Sequence, residues 1–149
     1  MTTLSPQQLA QTLAAMVSQA MLAKDRVAQD LNIQLLTVGA GCATMSMTVQ
    51  ERMLNGFAIC HGGYITLLAD TAFAYACNSY NDVTVASSLG IEFIAAVQGG
   101  DVLTAKATEI SLAGRTGLYD IDISNQAGKR VAVMRGRSYR LKDKKMLAL

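Results

Sequence analysis

Hydrophobic positions change their period three times along the chain. Over residues 5–29, Leu9, Leu13, Met16, Val17, Ala20 and Met21 recur at helical spacing, which predicts an amphipathic helix. Ser5, Pro6 and Gln8 supply a capping residue, a first-turn proline and the third member of a capping box. A second short helical piece is expected from about Ala23 to Leu31. Ile33–Val38 and Cys42–Val49 then favour strands, and Gly39-Ala40-Gly41 between them reads as a hairpin turn. From Gly63 to about Ser79 the chain is almost uniformly apolar, which predicts a helix buried on nearly every side. Four strand candidates follow: Thr84–Ile94, Val102–Leu112, Gly117–Asn125 and Arg130–Leu141. Short glycine-containing links separate them and read as an antiparallel meander. Five or six such strands with one long buried helix imply an α+β fold, an antiparallel sheet curled around that helix.

Composition narrows the function class. The 149 residues are 51% hydrophobic and 16% charged, enough for one domain with a sizeable core. A net charge of +2 is too mild to point to nucleic acid, although eight of the thirteen cations lie between Lys129 and Lys145. Three cysteines without a C-x-x-C spacing and a single histidine, His61, offer no zinc-ligand pattern, so no metal is expected. No apolar run is long enough for a membrane span, and no basic segment precedes an apolar stretch as in a secretory signal. A soluble cytoplasmic protein with reduced thiols is the expectation.

Asp70 is the most informative residue, a carboxylate inside the most apolar helix. Burying it unpaired as an ion is costly, so it needs either a structural hydrogen-bond partner or a ligand-facing role as nucleophile or general base. Gly62 and Gly63 open the same helix. Free N–H groups at a helix start favour an oxyanion, and glycine leaves room for a carbonyl to approach. Eight residues separate Gly62 from Asp70, roughly 12 Å along the axis, whereas a base and an oxyanion donor must converge within about 3 Å of one reacting centre. If both act on one carbonyl, Asp70 must come from a second subunit. His61 either holds the loop or contacts the acyl group, and Asn55, before Gly56, is either a turn residue or a donor to a thioester or to His61. A Cys60–His61 dyad is disfavoured because adjacent residues of an extended segment point apart. Arg115, in a glycine-flanked turn, with Arg135 and Arg137 on one strand face, either binds phosphates or forms a solvated edge.

Asn55-Gly56, Cys60-His61-Gly62-Gly63, Leu68-Ala69-Asp70-Thr71-Ala72-Phe73, Val85-Ala86-Ser87, Gly100-Asp101-Val102-Leu103 and Gly117-Leu118-Tyr119-Asp120 together resemble the phenylacetate-degradation (PaaI-type) hotdog-fold thioesterases, over roughly residues 30–141. The resemblance implies a hotdog domain at 32–141, with a helical extension at 1–31 and a basic tail at 142–149. It also implies dimerisation by edge-strand pairing, often into homotetramers. It further implies hydrolysis of phenylacetyl-CoA or ring-hydroxylated relatives without a cofactor, CoA being part of the substrate. By position, Asp70 matches the catalytic carboxylate donated across the dimer, Gly62 the residue whose N–H polarises the carbonyl, and His61 and Asn55 the residues that line the site. Gly63 and Arg115 complete the expected substrate-binding set, with CoA lying over Arg115. One segment departs from the pattern: Ile94–Gly100 lacks the usual Arg-Pro pair, which predicts a more flexible loop and one phosphate contact fewer. A non-catalytic acyl-CoA-binding protein, a thioesterase for other aryl or fatty acyl groups, and a hotdog dehydratase acting on hydroxyacyl or enoyl thioesters are the alternatives.

Overall fold

The computed structural model describes residues 4–149. Helix α1 spans Pro6–Leu22 and opens with the expected capping box, Ser5 Oγ accepting from Gln8 N at 3.2 Å and Gln8 Oε1 accepting from Ser5 N at 2.8 Å. The helix does not run on to residue 29. Asp25 Oδ1 accepts from Ala28 N at 3.0 Å and starts a separate helix α2, Arg26–Asp30. A carboxylate that caps a new helix competes with continuing the old one, which is why the chain breaks there.

Strands β1 (Gln34–Gly39) and β2 (Cys42–Thr48) form the expected hairpin, with Gly41 at φ +71° in the turn. After a 3₁₀ turn at Glu51–Met53, helix α3 spans Gly62–Asn78. Strands β3 (Asp82–Phe93), β4 (Val102–Ala113), β5 (Thr116–Ser124) and β6 (Arg130–Lys145) complete one six-stranded antiparallel sheet in the order β1-β2-β4-β5-β6-β3. The meander expectation therefore holds for β4-β5-β6 and fails for β3. Helix α3 carries the chain across the concave face, so β3 lands at the far edge beside β6. The segment 94–101 then returns the chain to the side of β2. That segment is not the loose loop its missing prolines predict. Cys60 N donates to Val97 O at 2.8 Å, Gly100 N to Val49 O at 2.8 Å, and Val97 is 1% exposed.

The core lies between α3 and the sheet's inner face. Phe73 of α3 meets Tyr119 of β5 with ring centroids 5.2 Å apart, and both are buried. Yet α3 is not covered all round. Gly63, Thr66, Leu67, Asp70, Thr71 and Ala74 recur every three or four residues and form a strip left exposed or half-exposed. Beside it the sheet simply ends at β3, where Leu89 is 39% and Phe93 53% exposed. The segment expected as a free tail from residue 142 instead extends β6 to Lys145, whose Nζ lies 2.6 Å from Asp82, and Asn81 Oδ1 accepts from Leu147 N at 2.7 Å. No helix among the described residues is long and apolar enough to cross a membrane.

Candidate active site

The start of α3 is fixed by a short, heavily hydrogen-bonded loop. His61 N donates to Met53 O, and Cys60 N to Val97 O, both at 2.8 Å. His61 is the N-cap, with Nδ1 accepting from Gly63 N at 2.9 Å. Gly63 N–H is thus occupied by the cap, whereas Gly62 N–H meets no acceptor among the described residues. A free N–H in the first turn carries the helix's partial positive charge.

Gly62 opens onto a cavity of about 410 Å³, walled by Asn55, Ile59, Ile65, Phe93 and Val97 among others. No carboxylate and no cation among the described residues lines it. Asn55 Oδ1 accepts from Phe57 N at 2.9 Å and closes the turn, so the turn role is real. Its Nδ2 has no partner among the described residues and remains available as a donor. The left-handed position of this turn is Ala58, at φ +58°, rather than Asn55. Cys60 Sγ lies 3.6 Å from its neighbour's carbonyl, His61 O, and burial, with the charge of Asp101 adding, pushes its thiol up. With Sγ turned to a backbone carbonyl and His61 Nδ1 taken up by the helix cap, the two side chains do not form a dyad.

Asp70 stands two turns further along, on the uncovered strip. The hydroxyls that could have satisfied it are engaged elsewhere: Thr66 Oγ1 donates to Gly62 O at 2.8 Å and Thr71 Oγ1 to Leu67 O at 2.7 Å. Asp70 accepts no hydrogen bond among the described residues, and burial raises its carboxyl above the ordinary carboxylate value. An unpartnered carboxylate with a raised pKa is the state suited to a base or nucleophile.

Arg115 lies at the opposite end of the helix from Gly62. Its Nη1 contacts Tyr139 Oη at 3.1 Å, and it lines a cavity of about 220 Å³ with Cys77, Tyr80, Tyr119 and Arg140. Within one protomer it does not join the Gly62 cavity. Arg135 is engaged by Asp120 at 2.7 and 2.9 Å, which leaves it a surface ion pair rather than a free phosphate ligand. Larger hollows on the outer sheet face and beside α2 are open to solvent and carry ion pairs such as Arg130–Asp122 and Arg52–Asp30. The structure thus gathers Asn55, His61, Gly62 and Gly63, holds Asp70 apart, and adds Phe93, which sequence reasoning passed over. Only its place at the end of a strand, ahead of small residues, pointed to it.

The sequence profile of the thioesterase superfamily matches residues 57–143, more than half of the chain and the whole of α3. The chain belongs to that superfamily. It is 47% identical over 122 residues to the acyl-coenzyme A thioesterase PaaI of Escherichia coli K12, covering 82% of this chain and 87% of that one. The solved structure of the E. coli PaaI protein, from the phenylacetic acid degradation operon, superposes with a TM-score of 0.87 at 44% identity, over 89% of this chain and 96% of the other. A mutant phenylacetic acid degradation protein PaaI from Thermus thermophilus superposes at 0.74 with 30% identity, over 77% and 98%. The architecture is accordingly the hotdog fold of this superfamily, with α1 and α2 added ahead of it, and the PaaI-type resemblance is upheld.

Proposed function

We propose that this thioesterase-superfamily chain hydrolyses phenylacetyl-CoA or ring-hydroxylated relatives to the free acid and CoA, at a site completed by a second copy of itself. One observation carries the reading: among the described residues, a free helix-start N–H opens into an apolar cavity that holds no carboxylate, while the unpartnered Asp70 faces outward from the same helix. Eight residues of rigid helix separate them by roughly 12 Å, so no side-chain rotation unites them. A two-fold partner does. If the α3 strips of two copies pack antiparallel about an axis near Thr66, each Gly62 faces the other chain's Asp70. The same operation pairs the two β3 edges and covers Leu89. The aryl preference draws support from the two PaaI proteins, whose names tie them to phenylacetic acid degradation.

In this arrangement the thioester carbonyl accepts from Gly62 N–H, and Asn55 Nδ2 lies within the same cavity to orient the acyl end. Asp70 of the other copy attacks the carbonyl carbon or removes a proton from an attacking water. The oxyanion forms against Gly62 and collapses, the C–S bond breaks, and CoA leaves as a thiolate that takes up the proton drawn from water; on the nucleophilic route an Asp70–acyl anhydride forms first and water then hydrolyses it. The acyl carbon ends with the oxygen of water as a carboxylate. A single oxyanion donor of this kind is worth about 10²–10³ in rate. The partner's antiparallel β3 also brings its own Asp82 end, with Arg115, toward this cavity, the side from which the CoA phosphates would reach a cation. No metal or redox group takes part in these steps, and the free cysteines suit a cytoplasmic setting.

The test is thiol release from phenylacetyl-CoA by the wild-type protein and by Asp70→Asn. The variant should stay folded and dimeric while losing turnover. Single-turnover hydrolysis in ¹⁸O water separates the two roles, since label appears in Asp70 only if it is the nucleophile. Absence of release from wild type across aryl and fatty acyl-CoAs would replace hydrolysis with binding alone.

A further inference from the structure

The least expected feature of the Gly62 cavity is the ring that roofs it. Phe93 is the last residue of β3 and pairs with Ala132 of β6, which is fully buried. Residues directly opposite in an antiparallel pair share a face, so Phe93 points to the helix side of the sheet. Leu89 and Ile91, opposite Gly136 and Met134, point the same way. The sheet has no further strand there, and the ring stays 53% exposed although it faces inward. It comes to rest on the first residue of α3: a Cβ built on Gly62 would lie 2.8 Å from Phe93 Cζ and 3.2 and 3.3 Å from the two Cε atoms. Gly62 therefore leaves room for the ring as well as for a carbonyl.

We infer that Phe93 is the residue that selects an aromatic acyl group, its ring forming one wall against which the substrate's ring packs beside the Gly62 N–H. The inference rests on the thioesterase reading above and deepens it. The other walls are aliphatic or small, Ile59, Ile65, Ile94, Ala95, Ala96 and Val97. They favour any apolar acyl group without distinguishing flat from flexible ones. Phe93 alone among the lining residues offers an aromatic surface, and offset or edge-to-face ring pairs gain beyond simple burial. Its place over the oxyanion donor means that a ring packed on it holds the adjoining carbonyl close to Gly62. An aryl group one methylene from the carbonyl has that reach. A straight chain fills the same apolar space but gains no ring contact.

The competing explanation is that Phe93 is only an interface side chain, buried by the second copy. The experiment separates the two. Phe93→Leu and Phe93→Tyr are compared with wild type on phenylacetyl-CoA and hexanoyl-CoA, with dimer content checked by gel filtration. Phe93→Leu should lower kcat/KM for phenylacetyl-CoA about three- to tenfold relative to hexanoyl-CoA, the scale of one aromatic pair. Phe93→Tyr should keep the wild-type ratio. An equal loss on both substrates, with or without a fall in dimer content, or a Tyr variant that behaves like Leu would overturn the assignment. If wild type released thiol from neither substrate, the underlying thioesterase reading would fall instead, a distinct result.

Discussion

Gly136→Ala tests how tightly the helix is seated on the sheet. Gly136 lies on the inner face of β6, and a Cβ added there would stand 2.8 Å from Phe73 Cε1 and 3.0 Å from both Cδ1 and Cζ. Ordinary carbon contacts begin near 3.5 Å, so the ring must retreat by roughly 0.5–0.7 Å. It has nowhere to go, because Phe73 is 0% exposed and packs against the buried Tyr119. Overpacking of this kind costs about 1–3 kcal/mol, and the reduced freedom of the unfolded chain returns about 0.4–1 kcal/mol. The net expectation is a loss of up to about 2.5 kcal/mol against wild type and about 1–3 kcal/mol against a strain-free Gly→Ala control, read as a lower urea midpoint at unchanged slope. Gly90→Ala is the control, since nothing lies within 4 Å of its Cβ position and its φ is not in the left-handed region. That variant should gain about 0.4–1 kcal/mol over wild type, the unfolded-chain contribution alone. Both are measured at one protein concentration, because association contributes to apparent stability. A Gly136→Ala protein as stable as Gly90→Ala would refute the reasoning and show that the helix slides freely on the sheet.

Three further outcomes follow from the same geometry. Asp70→Asn should be more stable than wild type at pH 7: a carboxyl whose folded pKa is raised destabilises the fold once pH exceeds its unfolded value near 3.9, so the advantage should shrink to nothing as pH falls below about 4. Thermal melts of both proteins from pH 3.5 to 7.5 check the sign, and a variant less stable throughout would contradict it. Leu89→Lys places a charge on the uncovered β3 edge and should give a folded monomer without thioesterase turnover; an active monomer in gel filtration would end the two-copy site. Gly62→Ala keeps the N–H but displaces the Phe93 ring by about 0.7 Å, an offset that lowers kcat about 10-fold, and unchanged turnover would remove Gly62 from the site.

Most element positions were legible because glycine turns and changes of period mark them. The hairpin at Gly39–Gly41 and the cap at Ser5 are local chemistry, written within a few residues. The strand order was not, since the place of β3 depends on where α3 sets the chain down, and no local pattern encodes that. The second helical piece after Ala23 was legible, but not that Asp25 ends the first helix before it by capping the new one. The uncovered strip of α3 was hidden for a different reason. Thr, Leu and Ala make up most of it, so in sequence it reads as core. Asn55, His61 and Gly62 fall within eight residues, so their proximity was legible, whereas the position of Arg115 depended on the strand order.

That Gly62 and Asp70 ride on one helix has a consequence for mixed populations of chains. In the proposed dimer every polypeptide contributes a donor to one site and a carboxylate to the other. Two inactive alleles, one altered only at Asp70 and the other only at Gly62, would then restore each other when co-expressed. The hybrid pair holds one site with both wild-type halves and one site with neither. A wild-type chain paired with an Asp70 variant would keep one working site, so loss-of-function alleles would act in proportion to their dose and not as poisons.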